Sequence, residues 1–260
     1  MDIQQLDEQT QTDLFDYLLR LGDDRLILGH RLSEWCGHGP ILEEDIALAN
    51  IALDNIGQAS AYLKLAGEVE EGGRTEDDLA YFREAIDFKN LMLLEQPNGD
   101  FAFTIVRQFL FDVYSYNLLK DLQKSEFKEL ANISAKSSKE VTYHLRHSRQ
   151  WMLRLGNGTE ESHLRTQTAL DDLWRFTAEM FDQDEIEHRL VEKGIAADVH
   201  EIKPQWEKLV ADVVEEATLN LPLDEGYKSS GSRAGRHTEH LGYILAEMQI
   251  LPRSYPDAKW

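Results

Sequence analysis

The sequence predicts an all-α protein organised around two long helical hairpins. Apolar residues recur at spacings of three, four and seven along most of the chain, the period of a helix with one buried face. No run alternates apolar and polar residues for long enough to read as a strand. Four long periodic segments fall into two pairs, with a long connection between the pairs.

Leu14, Leu18, Leu21, Leu28, Leu32 and Trp35 mark an amphipathic helix over 9–36, ended by Gly37, Gly39 and Pro40. Leu48, Ile51, Ala52, Ala59, Tyr62, Leu63 and Ala66 mark a second over 43–68. The acidic stretch EVEEGGRTEDD reads as a solvated loop and helix start, followed by a shorter helix over 77–88 and a turn at 96–100. Phe101, Ile105, Tyr116 and Leu119 share a face of a third long helix over 101–124. Leu130, Ile133, Ser137, Val141, Ser148 and Met152 do so on a fourth over 127–155. Further helices are expected at 161–181, 184–193, 198–219 and 237–251. The Gly/Ser-rich segment 226–236 reads as mobile or ordered by a partner, and residues 252–260 as an extended arm.

Two long hairpins joined by a long crossover make the ferritin-like layout of a four-helix bundle. The expectation is one domain over 1–260, with a core bundle at about 9–155 and a C-terminal helical extension at about 160–260. At this size roughly 70–75% of the unfolded chain's surface can be buried.

The formal net charge of −21 and pI near 4.7 oppose binding to phosphate backbones and anionic lipid. No nucleic-acid or membrane role is expected. The lone Cys36 allows no internal disulfide, the first residues are polar and acidic, and no apolar run reaches bilayer length. Together these suit a cytoplasmic protein.

The inner stripes carry polar groups. Glu34 follows the first stripe, Asn55 and Gln58 interrupt the second, Asp112 the third and His144 the fourth. A dinuclear iron bundle needs one carboxylate from each of two helices and Glu-x-x-His from each of the other two. Glu34 and Asp112 can supply the lone carboxylates. The Glu-x-x-His positions hold Asn55 with Gln58, and Val141 with His144. Two carboxylates and one imidazole are too few ligands for two irons, and neutral amides are poor replacements for bridging carboxylates. Asp54 and Glu140 lie one residue earlier, rotated by about 100°. A metal-binding, oxygenase-like enzyme using those displaced ligands is the alternative. In the first reading the polar residues form a buried hydrogen-bond network, completed by one of Arg25, Arg31 or Lys64.

The stretches LRLGDD at 19–24, RLSEWCGH at 31–38, LANIALD at 48–54, EQPNGDFA at 95–102, YHLRHS at 143–148, RLGNGT at 154–159, LWRFTAE at 173–179 and HTEHLG at 237–242 add a further signal. Together they resemble the PaaC family, the structural, non-catalytic subunits of bacterial 1,2-phenylacetyl-CoA epoxidase. The resemblance covers about residue 12 to the end of the chain. It implies a ferritin-like chain without a cofactor of its own, in aerobic phenylacetate catabolism. The catalytic sister subunit would carry the diiron centre, the two forming a hetero-oligomer served by a small bridging subunit and a reductase. On that reading Glu34, Asn55, Gln58, Asp112, Val141 and His144 are vestigial diiron positions that bind no metal, and no residue is catalytic.

Other clusters have simpler expectations. His30, Glu34 and His38 are spaced by four, but Gly37 breaks the helix before His38. Glu185, Glu187 and His188 read as a solvated helix start. His237 and His240 have no companion ligand cluster and read as packing or interface residues. Cys36 reads as packed beside Trp35, and the five tryptophans, Trp260 included, as core or interface anchors.

Overall fold

The computed structural model describes residues 1–223, 228–256 and 258. Among them are ten α-helices and no strand. They are α1 (Glu8–Ser33), α2 (Leu42–Glu70), α3 (Glu76–Tyr81), α4 (Met92–Glu95), α5 (Phe101–Leu122), α6 (Lys128–Gly156), α7 (Glu160–Trp174), α8 (Glu185–Glu192), α9 (Val199–Glu216) and α10 (Glu239–Ser254). The order of long hairpin, long connection, long hairpin and further helices is the expected ferritin-like, all-α layout. Two compact units result: Met1–Pro97 with Gly231–Trp260, and Asn98–Ser230.

In the first unit α1 and α2 form the hairpin. Asp7 starts α1 by accepting the Thr10 N–H at 2.8 Å, which satisfies a donor the helix leaves open. Leu14, Leu18, Leu28 and Leu32 are fully buried, each contributing about 1.5–3 kcal/mol relative to exposure. Close approach of α1 and α2 rests on glycine. A Cβ on Gly22 would lie 2.7 Å from Leu63 Cδ2, and one on Gly29 would lie 2.8 Å from Ile56 Cδ1. Asp45 anchors the turn between the helices, accepting from the N–H groups of Gly37 at 3.1 Å and Gly39 at 2.9 Å. α3, α4 and α10 pack around this hairpin.

In the second unit α5 pairs with α6, and α7 and α9 cover both. α5 is buried nearly all round, Phe109, Phe111 and Leu110 included. α6 instead presents one stripe, Leu130, Ser134, Ser137, Val141, His144, Ser148 and Met152. Trp206 on α9 donates its indole N–H to the Leu110 carbonyl at 2.9 Å.

Several boundaries differ from expectation. α1 stops at Ser33, three residues early. The helix expected over 77–88 is split into α3 and a 3₁₀ turn at Ala85–Asp87, and that expected over 161–181 ends at Trp174. α4 has too few residues to show a period. Of the stretch beyond residue 160, residues up to Ser230 fall in the second unit and Gly231–Trp260 in the first. Gly226 and Tyr227 of the Gly/Ser-rich segment, and Asp257, Lys259 and Trp260 of the expected arm, lie outside the described residues.

Candidate functional site: the polar positions of the long helices

The first unit holds half of the expected positions. Asn55 and Gln58 are buried on α2, as their place in the stripe implied. Asn55 Nδ2 donates to its own helix, to the Ile51 carbonyl at 2.8 Å. Gln58 Oε1 accepts from Arg25 Nε of α1 at 3.0 Å. Arg25 is fully buried, so a cation from the neighbouring helix stands against the amide where a metal-binding histidine is required. Of the three basic candidates, Arg25 is the one in contact with this position. Lys64 is exposed. Arg31 donates to Glu34 at 2.7 Å and to the Glu95 carbonyl at 2.9 Å and 3.2 Å.

Glu34 is corrected by the structure. Because α1 ends at Ser33, Glu34 is the C-cap residue and is exposed, its carboxylate accepting from Arg31. It does not occupy an inward stripe. The same early end exposes Cys36, which was expected to be packed.

The second unit holds the other half. Asp112 on α5 is buried, and each of its oxygens is bonded. Oδ1 accepts from Gln108 Nε2 at 2.6 Å and Oδ2 from the Ser148 hydroxyl of α6 at 2.7 Å. Val141 and His144 lie on the buried stripe of α6. The first unit contains the Arg25–Gln58 contact, and the second the chain Gln108–Asp112–Ser148. Asp54 and Glu140, the displaced alternatives, are half-buried. Among the described residues, no three His, Cys, Asp or Glu side chains gather as a metal ion would require.

A second cluster, which no sequence period marks, lies in the first unit. Asp23 is fully buried and held by both Nη atoms of Arg83 and by the Lys89 N–H at 2.8 Å. Burial pushes its carboxyl above the ordinary range, against the pull of Arg83. Asp24 accepts from Arg233 through both oxygens at 2.9 Å, and from the Leu91 N–H at 2.9 Å. Glu95 Oε1 accepts from the Thr238 N–H at 3.2 Å and lies 3.6 Å from His237 Nδ1. His237 Nε2 bonds the Phe88 carbonyl at 2.9 Å. Since a carbonyl only accepts, Nε2 carries a proton, and Nδ1 faces the carboxyl. Burial raises the pKa of Glu95 against the opposing effect of His237. The signal available was the run Gly22-Asp23-Asp24-Arg25, four consecutive non-apolar residues set between Leu21 and Leu26.

The remaining candidates separate. His30 is half-buried while Glu34 and His38 are exposed. Glu185 and His188 are exposed, but Glu187 is buried, contrary to the solvated role expected for it. His237 has the packing role expected, with Glu95 as its neighbour.

The family model described as phenylacetic acid catabolic protein matches residues 1–260. The chain is 52% identical, over 244 residues, to the C subunit of the 1,2-phenylacetyl-CoA epoxidase of Escherichia coli (strain K12), covering 94% of this chain and 98% of that protein. With a match along its whole length and a relative of that identity, the chain belongs to the phenylacetic acid catabolic protein family.

Proposed function

We propose that this chain is the non-catalytic structural subunit of a phenylacetyl-CoA 1,2-epoxidase in phenylacetate catabolism, acting in the cytoplasm. It binds and stabilises the ferritin-like sister subunit that carries the diiron centre, within a hetero-oligomer completed by a small bridging subunit and a reductase. The observation that carries this reading is the 52% identity, over nearly the full length of both chains, to a protein named as the C subunit of that enzyme.

The donor set supports the metal-free part of the reading. A dinuclear iron centre needs anionic bridging oxygens and imidazoles. Here α2 offers two neutral amides, one engaged by a guanidinium and the other by its own helix. α6 offers an apolar valine in place of a carboxylate. A buried guanidinium repels a metal cation as well as occupying an acceptor. These groups do not fit the centre, and no reaction step is assigned to them. The same contacts disfavour the alternative, an enzyme using Asp54 or Glu140.

An exposed apolar stripe on α2 supports this reading as a surface suited to the sister subunit. Leu42, Ile46 and Leu53 project from one face and are 72%, 52% and 69% exposed. Residues four and eleven apart share a helix face, and an apolar stripe of this kind suits packing against another helix. The test is co-expression of this chain, tagged, with its Glu-x-x-His-bearing sister. Stoichiometric co-purification, with the sister less stable when expressed alone, is the expected result. Turnover of phenylacetyl-CoA by the sister and reductase alone, at the full rate and stability of the complex, would overturn the structural role.

A further inference from the structure

Between α3 and the C-terminal half of α10, within the first unit, lies a cavity of about 500 Å³. The two helices that flank it are joined directly, by side chains of α10 that donate to carbonyls at the end of α3. Gln249 donates to the carbonyls of Ala80 at 3.4 Å and Arg83 at 3.0 Å. Arg253 donates to the carbonyls of Tyr81 and Phe82, each at 3.3 Å, and of Arg83 at 2.8 Å. Helices joined in this way lose little ordering entropy when the groove between them is filled.

Tyr81, Phe82, Tyr255 and Leu251 line the cavity, and the last three are 41%, 60% and 55% exposed, respectively. Asp77 and Glu247 also line it and are exposed. No hydrogen bond or ion pair joins either of them to a described residue. The third lining carboxylate, Asp78, is already engaged by Thr75 at the start of α3. Among the described residues, His30 is the only imidazole in the lining. Burial holds its pKa below the ordinary histidine value, so at neutral pH it adds no positive charge.

Aromatic faces beside carboxylates that have no partner among the described residues select a cation with a flat, weakly hydrated head and an apolar stem, which describes arginine. The overall charge of −21 steers such a cation toward the chain. We propose that the α3–α10 groove docks an arginine-bearing segment of a second polypeptide, its guanidinium shared by Asp77 and Glu247 and an apolar neighbour resting on Phe82, Leu251 and Tyr255. The cavity exceeds the volume of one side chain, which leaves space for that neighbour. Docking in this groove does not depend on the epoxidase reading.

The probe is the blocked dipeptide acetyl-Phe-Arg-amide, titrated into the full chain by calorimetry. Acetyl-Phe-citrulline-amide serves as an uncharged isostere and spermidine as a free cation. The expected result is saturable one-to-one binding, weakened at least about tenfold by citrulline and by the double variant Asp77→Asn/Glu247→Gln. Unchanged thermal unfolding of the double variant shows that the fold is intact. Equal binding of the citrulline peptide, or no saturable heat with the arginine peptide, overturns the proposal. Spermidine binding as tightly as the dipeptide, and competing with it, also overturns it by assigning the groove to free polyamines.

Discussion

Arg233 grips both carboxylate oxygens of Asp24 at 2.9 Å, across a separation of 209 residues. Lys89 completes the junction by donating from Nζ to the Arg233 carbonyl at 3.1 Å. The segment before α10 is thereby tied to the middle of α1 by charge as well as by packing. Removing one partner leaves a buried charge uncompensated, at a cost of about 3–5 kcal/mol. Arg233→Ala should lower the urea midpoint accordingly and make the C-terminal segment the first site of limited proteolysis. Asp24→Asn/Arg233→Met, which removes both charges, should recover most of the loss. A midpoint within error of the parent for Arg233→Ala would rule out a stabilising role for the pair.

The Asp112 carboxylate joins α5 to α6 through Ser148. A charge-assisted hydrogen bond between buried groups contributes more than a neutral one. Asp112→Asn and Ser148→Ala should each destabilise by about 1–3 kcal/mol, and the double variant by less than their sum. Chemical denaturation of the four proteins in the cycle measures the coupling. Strict additivity would mean that the contact contributes no energy of its own.

Glu95 gives a pH dependence with a definite sign. Burial lifts its pKa in the folded chain. A carboxyl with a raised folded-state value takes up a proton on folding. Its contribution to stability is therefore fully present below the ordinary carboxylate pKa and is lost as pH rises through the raised value. Glutamine at 95 does not titrate. The melting temperature of the parent relative to Glu95→Gln should fall as pH rises above the ordinary carboxylate range through the raised value. A difference that rises over this range would mean that the His237 interaction outweighs desolvation.

The exposed stripe of α2 makes a prediction about assembly alone. Leu42→Glu/Leu53→Glu alters two side chains that are 72% and 69% exposed. Surface changes of this kind leave stability within about 0.5 kcal/mol. The variant should fold normally yet lose co-purification with the sister subunit. Retained co-purification would move the interface to another face.

Much of the fold was legible because burial on one side of a long helix leaves a period. The stripes of α2 and α6 follow the leucines, valines and small residues that mark them, whereas α5 and the middle of α1 are buried nearly all round, and Phe101 and Tyr116 of the expected α5 face are only half-buried. Glu34 was misplaced because its side depended on where α1 stops. That end is set by the Asp45 carboxylate reaching back to Gly37 and Gly39, a contact without helical spacing. Arg25 could not be distinguished from Arg31 and Lys64, since only the turn of α1 against Gln58 selects it. The home of α10 was illegible for a different reason. Asp24–Arg233 and Glu95–Thr238 act over long sequence separations, and neither end carries a local mark of the other.

The central claim is that this chain supports a diiron subunit without binding iron itself. The most direct measurement is iron per polypeptide, after expression alone in iron-supplemented medium and again after co-expression with the sister. The account predicts iron near zero for the chain alone, with iron in the complex following the sister's stoichiometry. About two irons per chain in the absence of the sister, the number a dinuclear carboxylate bundle holds, would contradict it and make the displaced carboxylates Asp54 and Glu140 the first residues to test.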